Sequence, residues 1–177
     1  CYWQAPVGTS GRGRVKPLAE EELDQLSDSL IGSLERRLYA DVPVSLFLSA
    51  GIDSTLVAAL CVRELDTRPR AITISFPEET GSDESMAAAA IALELGLEHE
   101  IVQSQIDPAE SGPSALIDLL GQPTDILSAL SVQQMARAAA LTHKVALTGI
   151  GGDEMFLGYG KYGFAWNRRH ILDLPSW

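Results

Sequence analysis

Two short stretches of this sequence combine small residues with carboxylates in an order that suits the binding of a phosphorylated ligand. Residues 49–55 read Ser-Ala-Gly-Ile-Asp-Ser-Thr, and residues 148–154 read Thr-Gly-Ile-Gly-Gly-Asp-Glu. Small residues let backbone N–H groups approach a phosphate, and a helix that starts there attracts the anion further. Phosphate repels a nearby carboxylate unless a cation lies between them. Asp53, Asp153 and Glu154 therefore point to Mg²⁺ as well as to phosphate.

Neither stretch matches the most familiar nucleotide-binding motifs. Residues 49–55 lack the Gly-Lys-Ser/Thr of a Walker A loop and the Gly-x-Gly-x-x-Gly of a dinucleotide-binding loop. Taken alone, the first stretch is equally well explained as a tightly packed turn and the second as a flexible connector. Their joint position after two strands is what favours a ligand site.

The elements that must position these stretches follow a regular alternation of predicted strands and helices. An amphipathic helix is predicted from Leu18 onward, because leucines recur there every three or four residues. Four strands are predicted at 44–48, 71–76, 97–102 and 145–148. Such alternation favours a doubly wound α/β domain, a parallel sheet of about five strands with helices on both faces. Ligands of such sheets bind at the carboxyl ends of strands, here after Leu48 and Thr148.

Composition and charge exclude several classes of function. The chain has 177 residues, 46% of them apolar, which suits one folded domain. Its formal charge of -11 predicts no binding to nucleic acid. No apolar run approaches the roughly 18 residues of a membrane-spanning helix, so we expect no membrane partner. Two cysteines make no disulfide framework, which favours a cytoplasmic location.

Several motifs together resemble one enzyme family. Residues 49–55 resemble the pyrophosphate loop of the N-type ATP pyrophosphatases, usually Ser-Gly-Gly-x-Asp-Ser. Within that superfamily, the chain is similar to the synthetase domain of glutamine-dependent asparagine synthetases at 41–44, 83–85, 95–100 and 151–159. The similarity keeps the order and spacing of these motifs and extends from about Tyr2 to Tyr162.

This resemblance implies ATP and Mg²⁺ as cofactors and assigns residues to each. It implies adenosine contacts for Leu48, Ile74, Thr148 and Gly149. It implies phosphate contacts for Ser49, Gly51, Asp53, Ser54 and Thr55. Asp53 and Asp153 are the implied Mg²⁺ ligands and, with Glu154, the implied catalytic residues.

The implied reaction is ATP-dependent amide formation. A substrate carboxylate, expected to be that of aspartate, attacks the α-phosphorus and releases pyrophosphate. Ammonia then displaces AMP from the acyl-adenylate. In this family the ammonia comes from glutamine, through a glutaminase domain of the parent chain. The sequence leaves the oligomeric state open, a homodimer included.

Two positions depart from the family pattern and keep alternatives open. Ala50 replaces a glycine of the loop, and Ile150 replaces a Glu or Asp tied to acyl transfer. A nucleotide-binding module without this catalysis is therefore one alternative. Another ATP pyrophosphatase, such as a tRNA-thiolating enzyme, is a second, although we do not expect it to carry residues 151–159.

The resemblance also predicts the domain organisation. We expect residues 1–17 to be a linker from a missing glutaminase domain and residues 18–177 to be a truncated synthetase domain. Cys1 is then a linker residue rather than a nucleophile. Because the family's catalytic lysine is expected beyond Trp177, we expect this fragment to be inactive alone.

Overall fold

The computed structural model describes residues 17–76, 83–104, 113–122 and 128–167 of the chain. The expected linker, residues 1–17, lies outside these ranges except for Pro17. Strands and helices alternate in the described part, as predicted. The strands are β1 (Val44–Phe47), β2 (Arg70–Ser75), β3 (His99–Gln103) and β4 (Val145–Leu147). The helices are α1 (Glu20–Leu38), α2 (Ile52–Arg63), α3 (Ser85–Leu95), α4 (Pro113–Leu120), α5 (Ser128–Ala140), α6 (Gly152–Phe156) and α7 (Gly160–Asn167).

The strands form one parallel sheet in the order β3-β2-β1-β4. The chain therefore adds β2 and β3 on one side of β1 and then returns to place β4 on the other side. This reversal makes the boundary between β1 and β4 a topological switch point, where open α/β sheets bind ligands. The predicted parallel α/β fold is confirmed. Within the described ranges the sheet has four strands, one fewer than the approximate number expected.

Local sequence explains where the long helices begin and end. Helix α1 carries Glu20, Glu21 and Glu22 in its first turn and Arg36 and Arg37 in its last, which complements the helix dipole. Helix α3 is rich in alanine and ends at Gly96, whose φ of 65° is in the left-handed region that glycine adopts readily. Among the described helices, none is both long and apolar enough to cross a membrane.

Helices cover both faces of the sheet. Helix α1 packs on α2 and α2 on α3, and these helices share a buried cluster that includes Leu46, Ala58 and Ala71. Because successive side chains of a strand point to opposite faces, the buried Ile72 lies on the face opposite Ala71. Helix α5 packs against β2, β3 and β4. The fully buried Cys61 belongs to the cluster, and burial raises the pKa of its thiol.

Candidate functional site

The two stretches singled out in the sequence leave the sheet side by side. Strands β1 and β4 are neighbours in parallel register, with Leu46 opposite Leu147. Residues 49–51 follow β1 and lead into α2, and residues 148–151 follow β4 and lead into α6. Both connections therefore meet at the carboxyl edge of the sheet, at its switch point. We call them the first loop (residues 48–55) and the second loop (residues 148–154).

The two loops are in direct contact, and glycines make this contact possible. A Cβ atom built on Gly149 would lie 2.7 Å from the Ser54 nitrogen and 2.9 Å from the Asp53 carbonyl carbon. A Cβ atom on Gly152 would overlap the Asp53 carboxylate. Only a residue without a side chain fits at these positions in this arrangement. The second loop thus closes over the start of α2.

Ser54 holds the first loop in shape. Its hydroxyl accepts a hydrogen bond from the Ser49 N–H at 3.1 Å and lies 2.9 Å from the Ser49 hydroxyl. The Gly51 N–H in turn donates to the Ser49 hydroxyl at 3.2 Å. Ala50 does not adopt a positive φ, so its backbone conformation does not require the family's glycine. These bonds fix the loop before any ligand arrives, which lowers the entropy cost of binding.

Both loops line one cavity of about 810 Å³, a size typical of small-molecule sites. The cavity brings together all but one of the residues predicted from the sequence. These are Leu48, Ser49, Gly51, Asp53, Ser54, Ile74, Thr148, Gly149, Asp153 and Glu154. The exception is Thr55, which does not line the cavity. The Thr55 hydroxyl is buried in α2 and has no hydrogen-bond partner among the described residues.

The cavity also contains residues that were not predicted to belong to it. Five apolar side chains line it as well, namely Phe47, Phe76, Val132, Met135 and Phe156. Such surfaces suit a flat aromatic base. Glu84, at the start of α3, and Tyr159, after α6, add polar groups. Ile150 lines the cavity with 78% of its surface exposed, so the position at which the resemblance implies an acid carries an apolar side chain.

Asp153 and Glu154 lie in the first turn of α6, a short helix where the sequence predicted only a loop. The Tyr159 hydroxyl donates a hydrogen bond to the Glu154 carboxylate at 2.7 Å. This bond raises the pKa of Tyr159 to about 12 and lowers the pKa of Glu154. The Lys161 ammonium lies 4.3 Å from the centre of the Tyr159 ring. Glu154 is therefore held ionised at neutral pH.

The donor set fits a magnesium ion that arrives with its nucleotide. Asp53 and Asp153 come from different loops and face the same cavity. In the described part of the chain, no three His, Cys, Asp or Glu side chains are grouped as a metal site of their own. Mg²⁺ is commonly held by one or two carboxylates together with substrate phosphates, so two carboxylates suffice.

A hydrogen-bonded chain fixes the end of β1, where the first loop starts. The Thr73 hydroxyl donates to the Leu48 carbonyl oxygen at 2.7 Å, so its oxygen accepts from the His99 Nε2–H at 2.8 Å. Burial lowers the pKa of His99, which favours the neutral ring. The three residues tie strands β1, β2 and β3 together beneath the cavity.

The parallel sheet and the serine- and glycine-bearing loop at its switch point define an α/β protein with a candidate phosphate-binding site. The family model for asparagine synthase matches residues 25–176, and the chain belongs to this family. The similarity read from the sequence motifs is thereby confirmed.

Curated relatives support this assignment. A putative glutamine-hydrolysing asparagine synthetase from Mycobacterium bovis is 34% identical over 154 residues, which cover 86% of this chain and 23% of the relative. Asparagine synthetase 1 from Bacillus subtilis is 29% identical over 170 residues, 93% of this chain and 26% of the relative. The chain thus spans about a quarter of the length of these relatives.

Solved structures show the same fold. The glutamine-dependent NAD+ synthetase from Acinetobacter baumannii, in complex with ADP, has a TM-score of 0.56 and 20% identity. The match covers 83% of this chain and 29% of the synthetase chain. This likeness supports the α/β architecture.

Proposed function

We propose that this chain is the ATP-activating part of an amide-forming ligase. One observation carries the proposal: the loops after β1 and β4 touch and enclose one cavity that holds Asp53 and Asp153. A cavity with two carboxylates and a preformed small-residue loop suits a nucleotide that brings Mg²⁺ with it. Membership of the asparagine synthase family supports a ligase that uses ATP.

The position of each residue suggests its role toward ATP. Leu48, Ile74, Thr148 and Gly149 lie where the sheet ends, and we assign them to the adenosine. Ser49, Gly51 and Ser54 form the hydrogen-bonded loop, and we assign them to the phosphates with Asp53. Thr55, which the resemblance also assigns to the phosphates, lies in the first turn of α2, where its N–H donates to the Gly51 carbonyl oxygen at 3.1 Å.

The residues that would hold Mg²⁺ are Asp53 and Asp153. When bound, the ion would neutralise the phosphate charge and stabilise pyrophosphate as it leaves. Glu154, whose carboxylate accepts the hydrogen bond from Tyr159, keeps a third negative charge beside this site. The three carboxylates therefore repel an uncomplexed polyanion more strongly than a cation-bound one.

The reaction we assign proceeds in two balanced steps. A carboxylate oxygen of the substrate, aspartate by family resemblance, forms a bond to the α-phosphorus while the bond to the leaving pyrophosphate breaks. Ammonia then forms a bond to the activated carbonyl carbon, AMP leaves with its bonding electrons, and a proton is released. The family supplies that ammonia by hydrolysing glutamine in a glutaminase domain. The protein contributes positioning and charge neutralisation, which account for much of such catalysis.

Ile150 supports a second candidate function. An apolar side chain in the cavity transfers no proton, so the site suits a nucleotide-binding module whose acyl transfer is altered or lost. Both candidates predict Mg-ATP binding. They differ only in what happens after the nucleotide is bound.

ATP–pyrophosphate exchange across a panel of carboxylates, measured on the full-length parent protein, tests the proposal. We expect exchange of labelled pyrophosphate into ATP that requires one carboxylate, with aspartate first in the panel, and that stops when EDTA removes Mg²⁺. Adding ammonium should then yield the amide and AMP. Exchange without amide would favour the altered module. Mg-ATP binding without exchange for any carboxylate would refute the ligase.

A further inference from the structure

A carboxylate from outside the first loop accepts a hydrogen bond from one of the loop's backbone N–H groups. The Glu84 carboxylate accepts a hydrogen bond from the Ala50 N–H at 3.2 Å. The other two N–H groups of the turn donate to hydroxyls of the loop itself, Ser49 to Ser54 and Gly51 to Ser49. Of these three N–H groups, only that of Ala50 is bonded to a side chain from outside the loop, namely Glu84 at the start of α3. Glu84 also lines the cavity.

The same donor suits a phosphate oxygen. A turn of this kind binds an anion through its backbone N–H groups, and the carboxylate of Glu84 is an anion already in place. The bond is long and exposed, so displacing it costs little. Glu84 and a phosphate therefore compete for one hydrogen bond.

The neighbours of Glu84 hold it in this position. The Asp83 carboxylate accepts hydrogen bonds from the Ser75 hydroxyl at 2.9 Å and from the Ser85 N–H at 3.0 Å. These bonds lower the pKa of Asp83, the bond from the Ser85 N–H most. Ser75 ends β2 and Ser85 begins α3, and both are buried. The start of α3 is thus anchored to the sheet, and Glu84 is carried on a fixed backbone.

The charge around the cavity adds to the effect of Glu84. Four carboxylates line it, those of Asp53, Glu84, Asp153 and Glu154. Among the described residues that line it, none is a lysine or an arginine. These four negative charges repel a metal-free polyphosphate, and a bound Mg²⁺ reduces that repulsion.

We propose that Glu84 determines the specificity of the first loop from outside it: its carboxylate holds the Ala50 N–H until a cation-bound phosphate displaces it. This assignment rests on the proposed function, because it takes the loop as the phosphate site. Glu84 then selects against metal-free anions. The sequence alone did not single out this residue as part of the site.

Glu84→Gln tests the competition, because it removes the charge and keeps the shape. Its matched control is Glu94→Gln, an exposed carboxylate on the same helix that lies 3.9 Å from Arg63 and not at the cavity. Calorimetry would measure the dissociation constants of pyrophosphate in EDTA and of pyrophosphate with excess Mg²⁺. We expect Glu84→Gln to tighten metal-free binding about fivefold and Mg-bound binding less than twofold. Glu94→Gln should change neither value.

A second readout tests the contact without any ligand. Hydrogen exchange of the Ala50 amide, followed by NMR, should be faster in Glu84→Ala than in the wild type and unchanged in Glu94→Ala. Thermal unfolding would show that each variant is folded. Equal Ala50 exchange in all three proteins, or a Glu84→Gln variant that binds metal-free pyrophosphate no more tightly, would overturn the assignment of Glu84.

The outcomes also separate this inference from the proposed function. If the wild type binds Mg-ATP while the Glu84 variants change neither the affinity for metal-free pyrophosphate nor the exchange rate of the Ala50 amide, only the role of Glu84 is wrong. If the wild type binds neither Mg-ATP nor Mg-pyrophosphate, the proposed function fails and the inference fails with it.

Discussion

Adding one methyl group at Gly149 should separate the two loops and weaken nucleotide binding. In Gly149→Ala, the new Cβ would lie 2.7 Å from the Ser54 nitrogen, 2.9 Å from the Asp53 carbonyl carbon and 3.0 Å from the Asp53 Cβ. Two of these atoms are backbone and cannot rotate away. Ordinary contact begins at 3.4 Å, so the loops must move apart by several tenths of an ångström.

The size of the effect follows from this geometry. Overpacking of a tight contact costs about 1–3 kcal/mol of stability. For a chain of this size, that lowers the melting temperature by roughly 2–4 °C for each kcal/mol. The same shift moves Asp53 and the start of α2 away from the second loop. If nucleotide binding requires the original spacing of the loops, the same strain is lost from the binding free energy, and we expect Mg-ATP affinity to fall by about tenfold or more.

The assay pairs calorimetry of Mg-ATP binding with thermal denaturation. Gly160→Ala is the matched control, because a Cβ at Gly160 meets nothing within 4 Å and this glycine has no positive φ. We expect the control to bind Mg-ATP and to melt as the wild type does. Wild-type affinity and stability in Gly149→Ala would show that the two loops do not form one rigid site.

Three further predictions follow from the charges. Asp53→Asn should weaken Mg-ATP binding, measured by calorimetry, on the order of tenfold to a hundredfold. The control Asp24→Asn, on the exposed side of α1, should leave the affinity unchanged, and equal affinities in the two variants would refute the role of Asp53. In an ultraviolet titration, Tyr159 should ionise near pH 12. Glu154→Gln should lower the pKa of Tyr159 toward 10. Because the pKa of Tyr159 is raised in the folded state, its contact with Glu154 stabilises the fold below pH 10, and this stabilisation is lost as the pH rises through about 12. An unchanged Tyr159 titration in Glu154→Gln would contradict the hydrogen bond. The charge of -11 predicts no salt-dependent binding of duplex DNA or tRNA in gel shifts, and micromolar binding would favour a tRNA-modifying enzyme.

The sheet was predictable from the sequence because its strands are short apolar runs separated by helical periods. All four predicted strands are present, and each boundary differs from the prediction by two residues or fewer. The meeting of the two loops was predictable too, since parallel strands bring their carboxyl ends to one edge. The end of α3 at Gly96 follows from the left-handed conformation that glycine adopts readily.

Other features depend on contacts that local sequence does not encode. Helix α6 begins with glycine and has five residues, too few for a helical period to show. Glu84 and Ala50 are 34 residues apart, and their hydrogen bond exists only because α3 starts beside the first loop. Thr55 was expected at the phosphates, but it does not line the cavity, and its hydroxyl is buried without a hydrogen-bond partner among the described residues.

We expect the cavity between the two loops to bind Mg-ATP. A crystal structure of the protein with Mg²⁺ and a non-hydrolysable ATP analogue would show whether it does. We expect the phosphates against residues 49–54, the adenine beside Leu48, Ile74 and Gly149, and the cation near Asp53 and Asp153. A nucleotide bound elsewhere on the protein, or a cavity that stays empty at millimolar nucleotide, would contradict the account.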